Sequence, residues 1–76
     1  MTIKQAAEII KAHVSARDTK AASEGLNSTA HILRRVGDAV NADVEDIADD
    51  VLAGRGTGSA AASRRLIRVA KAIGIN

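Results

Sequence analysis

Arg64, Arg68 and Lys71 lie four and then three residues apart in a segment of helical period. That spacing sets three cations in one line about two turns long. Arg65 flanks the line, and the Leu66/Ile73 stripe falls on the opposite side of the helical wheel. A row of cations is chemistry for phosphates, because neutralising a duplex backbone releases its counterions and supplies most of the non-specific affinity. Just upstream, Gly54 to Gly58 (GRGTG) is the one Gly-rich segment, and it leads to a helix start where Ser59 is a natural cap. The amides of Gly58 and Ser59 at such a start offer unpaired N–H groups to an anion, and Arg55 adds a further cation.

A second basic cluster, His31, Arg34 and Arg35, sits in the stretch Lys20 to Val36, KAASEGLNSTAHILRRV. This stretch resembles a helix-turn-helix: an Ala-rich helix breaks at Gly25, Leu26 plugs the turn, Asn27 and Ser28 cap, and a second helix follows. The resemblance implies that Thr29, His31, Arg34 and Arg35 face base edges or phosphates. The stretch departs from the pattern at Glu24, where the first helix usually places an apolar residue. It departs again where the expected buried position falls on Ile32 instead of His31.

Further on, Leu52-Ala53-Gly54-Arg55-Gly56, followed after two residues by a Ser-capped helix ending at Gly74, resembles the end of a lac-repressor-type headpiece. In those helix-turn-helix regulators a leucine-x-glycine turn joins the recognition helix to a third helix. In that register the recognition helix would be Asp43 to Val51, with Asp46, Asp49 and Asp50 pointing outward. Carboxylates repel phosphates, so this helix does not suit a groove. What the resemblance implies is a helix-turn-helix-like bundle; it does not locate a reading surface.

The charges are partitioned in blocks. Residues 1–37 carry net +3, residues 38–54 net −6 and residues 55–76 net +5, which the global value of +2 conceals. The acidic block admits two readings. Glu45, Asp46, Asp49 and Asp50 either cover cations of the same chain or attract the basic ridge of a neighbouring copy in a head-to-tail assembly. A calcium loop is excluded, since counting from Asp43 puts Ala48 at the sharp-turn Gly position and Gly54 at the bidentate Glu position.

Enzyme signatures fail one by one, and no catalytic residue or cofactor is expected. Gly54-x-Gly56-x-x-Ser59 lacks the third Gly of a dinucleotide fingerprint and follows a helix, and no Lys follows it as in a P-loop. His13 and His31 are the only imidazoles and lie on different helices, with His13 at the edge of an apolar stripe, where packing explains it. Without Cys there is no disulfide, thiolate nucleophile or sulfur-ligated zinc. Without Phe, Tyr or Trp there are no stacking platforms for single strands, which leaves duplex or protein as the target.

The elements that position these residues follow from the 3.6-residue period, and the fold class is all-α: a compact bundle of four or five short helices in one domain of 76 residues. A first helix runs from about Ile3 to Ala16, with Thr2 and Gln5 as a capping box and Ile3, Ala6, Ala7, Ile10 and Val14 inward. Ile9 lies off that stripe and points to contact on a second side. Asp18 to Glu24 reads as a short helix stopped by Gly25. The next begins after Asn27 or Ser28 and turns Ile32, Leu33, Val36, Ala39 and Val40 inward, with Gly37 weakening it.

A further helix, Val44 to Ala53 capped by Asp43, has Val44, Ile47, Ala48, Val51 and Leu52 as its stripe and Gly54 as its C′ residue. The last, Ser59 to about Ile73, buries Ala62, Leu66, Val69, Ala70 and Ile73; Gly74 ends it and Ile75 folds back.

Sixteen Ala and only eighteen Ile, Leu and Val make a thin core for a monomer, so a homo-oligomer, a homodimer above all, is expected. No apolar run approaches the roughly 20 residues of a membrane span and no signal peptide is visible, so a cytoplasmic protein with no membrane and no small-molecule substrate is expected. A pI near 9.5 favours a double-stranded-DNA-binding protein, regulatory or architectural. The competing class is an assembly or adaptor protein built on complementary acidic and basic faces.

Overall fold

The computed structural model describes residues 1–25 and 40–75, and among these the chain is all-helical. Three helices are described: α1 (Ile3–Ser23), α2 (Ala42–Leu52) and α3 (Ala60–Ile75). The expected helix after Asn27 or Ser28, with the turn residue Leu26 and the candidates Thr29, His31, Arg34 and Arg35, lies outside the described residues.

α1 starts as its capping box dictates. Thr2 Oγ1 accepts from the Gln5 amide at 3.1 Å, and Gln5 Oε1 accepts from the Thr2 amide at 2.9 Å. The helix does not stop at Ala16. It runs on for 21 residues in all, so the expected separate helix from Asp18 to Glu24 is instead the last turns of α1. No Gly or Pro interrupts Arg17 to Ser23, and Arg17 and Ala21 each anchor the extension, the first by bonds to a neighbouring element and the second by burial. The end comes where expected. Glu24 is the C-cap, and Gly25 follows at φ +70°, a left-handed backbone that glycine adopts without strain.

Asn41, not Asp43, caps α2: its Oδ1 accepts from the Val44 amide at 3.1 Å. The helix therefore starts two residues earlier than Val44, and Asp43 and Glu45 fall in its first turn, where the positive end of the helix dipole favours them. Its C-terminus is a Schellman motif. The Gly54 amide bonds to the Val51 carbonyl at 3.1 Å and the Arg55 amide to the Asp50 carbonyl at 2.8 Å, with Gly54 at φ +83°. Leu52, expected in the apolar stripe, is 44% exposed instead, because Val44, Ile47, Ala48 and Val51 already fill the inward arc.

Ser59 caps α3 through its Oγ, which accepts from the Ala62 amide at 3.1 Å. Gly74 does not end this helix, which continues through it to Ile75. A single glycine costs a helix only about 1 kcal/mol relative to Ala, too little to force a stop. Of the expected inward set, Leu66, Val69 and Ala70 are buried while Ala62 and Ile73 are half-buried.

α1 is the spine. It packs against both α2 and α3, which touch each other much less. At about 1.5 Å per residue it is roughly 31 Å long, and it accounts for most of the 37 Å long axis of a 37 × 23 × 19 Å molecule. The core gathers Ala6, Ala7, Ile10 and Val14 of α1, Val44 and Ala48 of α2, and Leu66, Val69 and Ala70 of α3, with Val40 fully buried just before α2. The alanines matter because small side chains let neighbouring helices approach closely. Ile9, off the main stripe, packs at the edge of this core and also borders an open groove of about 490 Å³ with Met1, Gln5, Glu8 and Ala12. No described helix is long and apolar enough to cross a membrane.

One polar junction ties α1 to α2. Arg17 Nη1 donates to the Val40 carbonyl at 3.2 Å, and its Nη2 forms an ion pair with Glu45 Oε1 at 3.5 Å. The two side chains are only 14% and 15% exposed, so their charges are shielded from water and need each other. Replacing Arg17 with Met keeps the stem but removes the cation that faces Glu45 and the donor to the Val40 carbonyl, and stability should fall by about 2–3 kcal/mol, read as an earlier urea midpoint by far-UV circular dichroism. Lys11→Met, which breaks only the exposed pair with Asp49, should cost under about 1 kcal/mol; equal losses in the two variants would remove the special role of Arg17. At Gly54 an added Cβ meets nothing within 4 Å, so Gly54→Ala tests backbone strain alone. It should cost about 1 kcal/mol in the same assay, with Gly54→Asn losing less because Asn tolerates the left-handed region.

Candidate nucleic-acid interface

Three carboxylates of the acidic block are paired inside the chain. Glu45 faces Arg17, Asp49 faces Lys11 with 2.9 Å between charged atoms, and Asp50 holds Arg55 at 2.8 Å. Lys11 and Arg17 come from α1, and Arg55 is placed by the Schellman turn that brings the chain back over the end of α2. Arg55 Nε also donates to the same Asp50 oxygen at 3.0 Å. Asp43 and Asp46 remain exposed, with no ion pair among the described residues.

α3 is the opposite case. Arg64, Arg68 and Lys71 are exposed and meet no carboxylate among the described residues. They border a shallow depression of about 370 Å³ floored by Ile67, a half-buried residue packed against the core. The sequence pattern singled out the three cations and missed Ile67. Its position three residues after Arg64 and four before Lys71 was the available signal. Arg65 leaves the ridge: it is half-buried, and its Nη2 lies 3.5 Å from Asn41 Oδ1, the oxygen that caps α2. The flanking cation thus belongs to the junction of α2 with α3.

The loop before α3 holds Gly56 at φ +75° and Gly58 at φ +84°. Its hydroxyls are turned inward on the helix start. Thr57 Oγ1 donates to the Ser59 carbonyl at 2.9 Å, and Thr57 and Ser63 hydroxyls lie 2.6 Å apart. Gly58 and Ser59 are exposed, and their amides donate to no protein acceptor among the described residues. The ridge begins one turn beyond them.

His13 is half-buried on α1. Among the described residues no group of three or more His, Asp and Glu is arranged to hold a metal ion. No protein-family model matches the chain, and neither a curated protein nor a solved structure matches it.

Proposed function

We propose that this chain is a small double-stranded-DNA-binding protein, regulatory or architectural, that grips the phosphate backbone through the outer face of α3. The observation that carries this reading is the uncompensated ridge of Arg64, Arg68 and Lys71 beside a −6 block whose Glu45, Asp49 and Asp50 are neutralised internally. Such an arrangement leaves one face positive in a molecule of nearly balanced charge, and a local positive face is what captures a polyanion. The exposed amides of Gly58 and Ser59 at the head of the same helix extend the anion-binding face. Arg55 and Arg65, held by Asp50 and Asn41, act at its edge.

The proposal includes a fourth helix and a helix-turn-helix-like bundle. The end of α1 at Ser23, with Gly25 in the left-handed region, fits the turn that such a motif needs. In it Thr29, His31, Arg34 and Arg35 supply sequence readout or a second backbone contact. A homodimer accords with the thin core, since Ile10, Leu66, Val40 and Val44 are the largest fully buried side chains among the described residues. The competing assembly reading has less to work with. Of the carboxylates it needs, Glu45, Asp49 and Asp50 already hold cations of their own chain, leaving Asp46 and its neighbour Asp43.

Fluorescence anisotropy of a labelled random duplex tests the reading; the label belongs on the DNA because the chain has no aromatic fluorophore. The double variant Arg64→Glu, Arg68→Glu should bind at least about tenfold more weakly at low salt with unchanged helicity. Equal affinity in the variant would end the assignment of the ridge. Absence of binding by the native chain, together with an oligomer that shrinks as salt rises, would favour the assembly class.

A further inference from the structure

The outer face of α3 carries few groups able to read a base. Apart from Arg64, Arg68 and Lys71, its exposed positions among the described residues are Ala60, Ala61, Ala72 and Gly74, which have no side-chain donor or acceptor. The hydroxyl of Ser63, another polar group near the ridge, is half-buried and engaged with Thr57 and the Ser59 carbonyl.

Arginine reads guanine when its fork is held flat against the base edge, and a neighbouring group usually sets that plane. Arg17, Arg55 and Arg65 each have such a partner, in Val40 and Glu45, in Asp50, and in Asn41. Arg64 and Arg68 have none among the described residues, so they behave as mobile charges that follow phosphates.

Resting on the function proposed above, we infer that the α3 ridge is a sequence-independent site for three duplex phosphates, one each for Arg64, Arg68 and Lys71. The exposed alanines that flank the cations, Ala60, Ala61 and Ala72, let a phosphate backbone lie close along the helix. Any base discrimination by the chain then comes from outside this face.

Counterion release makes the inference measurable. Each phosphate neutralised on B-DNA contributes about −0.9 to the slope of log affinity against log salt. The native chain and the triple variant Arg64→Gln, Arg68→Gln, Lys71→Gln are titrated against three duplexes of unrelated sequence over a salt series. The native slope should be steeper than the variant slope by about 2.7 units, and each single Gln variant should remove about 0.9. Lys4→Gln serves as control: Lys4 is exposed and meets no carboxylate among the described residues, but it lies on α1. It should leave the slope unchanged.

The loss of affinity on triple substitution should agree among the three duplexes within about twofold, since phosphate contacts carry no sequence information. Two outcomes would overturn the inference while leaving DNA binding standing. One is a triple variant that keeps the native slope. The other is a preference of about tenfold or more for one duplex that disappears in the triple variant, which would mean that the ridge reads bases. No binding to any duplex at the lowest salt would instead remove the function on which the inference rests.

Discussion

The rest of the structure hangs on the guanidinium of Arg17. It is the one cation of α1 that is nearly buried, and it reaches across to the backbone of Val40 and the carboxylate of Glu45. Through those contacts it sets where α2 begins, since Val40 and Asn41 immediately precede that helix. Asn41 in turn caps α2 with the same oxygen that lies near Arg65 of α3. One polar junction therefore joins all three described helices at the N-terminus of α2. The apolar core below it, rich in alanine, supplies burial but few shapes that would fix one helix against another.

That junction also decides how charge is displayed. The six carboxylates of residues 38–54 look, as a sequence, like a surface awaiting a partner. Folding places α2 against α1, so that Lys11 and Arg17 meet Asp49 and Glu45, and the turn after Gly54 returns Arg55 to Asp50. The pairs with Lys11 and Arg55 are exposed and add little stability. Their larger consequence is electrostatic, because they spend acidic charge on cations away from α3 and leave the ridge as an uncovered positive face.

Periodicity made much of this legible, and where it failed the cause was a tertiary contact or an ambiguous local signal. The inward faces of α1 and α3 followed from Ala6, Ala7, Ile10, Val14, Leu66, Val69 and Ala70, because burial obeys the helical repeat. The Thr2/Gln5 box and the Gly54 terminus followed from side chains that have few other local roles. Asp18 invited a false break because Asp caps helices well, but no sequence pattern announces that Arg17 will be tethered to a segment 23 residues away. Asn41 and Asp43 are both competent caps, and only the bond to Val44 separates them. At the candidate site the cationic row was readable from spacing alone. The diversion of Arg65 and Arg55 was not, since each depends on a partner brought close by the fold or by a turn.

The ridge carries a small energetic liability. Arg64 and Arg68 are like charges four residues apart, and Arg68 and Lys71 three apart, spacings at which repulsion costs a helix a few tenths of a kcal/mol per pair. Among the described residues several other cations have a carboxylate nearby: Lys20 lies 3.9 Å from Glu24 one turn on, and Lys11, Arg17 and Arg55 each face one. α3 contains no acidic residue at all. None of the three ridge cations is among the buried residues that hold the helix to the core; that role falls to Leu66, Val69 and Ala70 on other sides of the helix. The fold would therefore tolerate a carboxylate at one of the three positions and be slightly more stable for it. Keeping all three positive makes physical sense if an external anion supplies the neutralisation, and a duplex backbone supplies it repeatedly along its length.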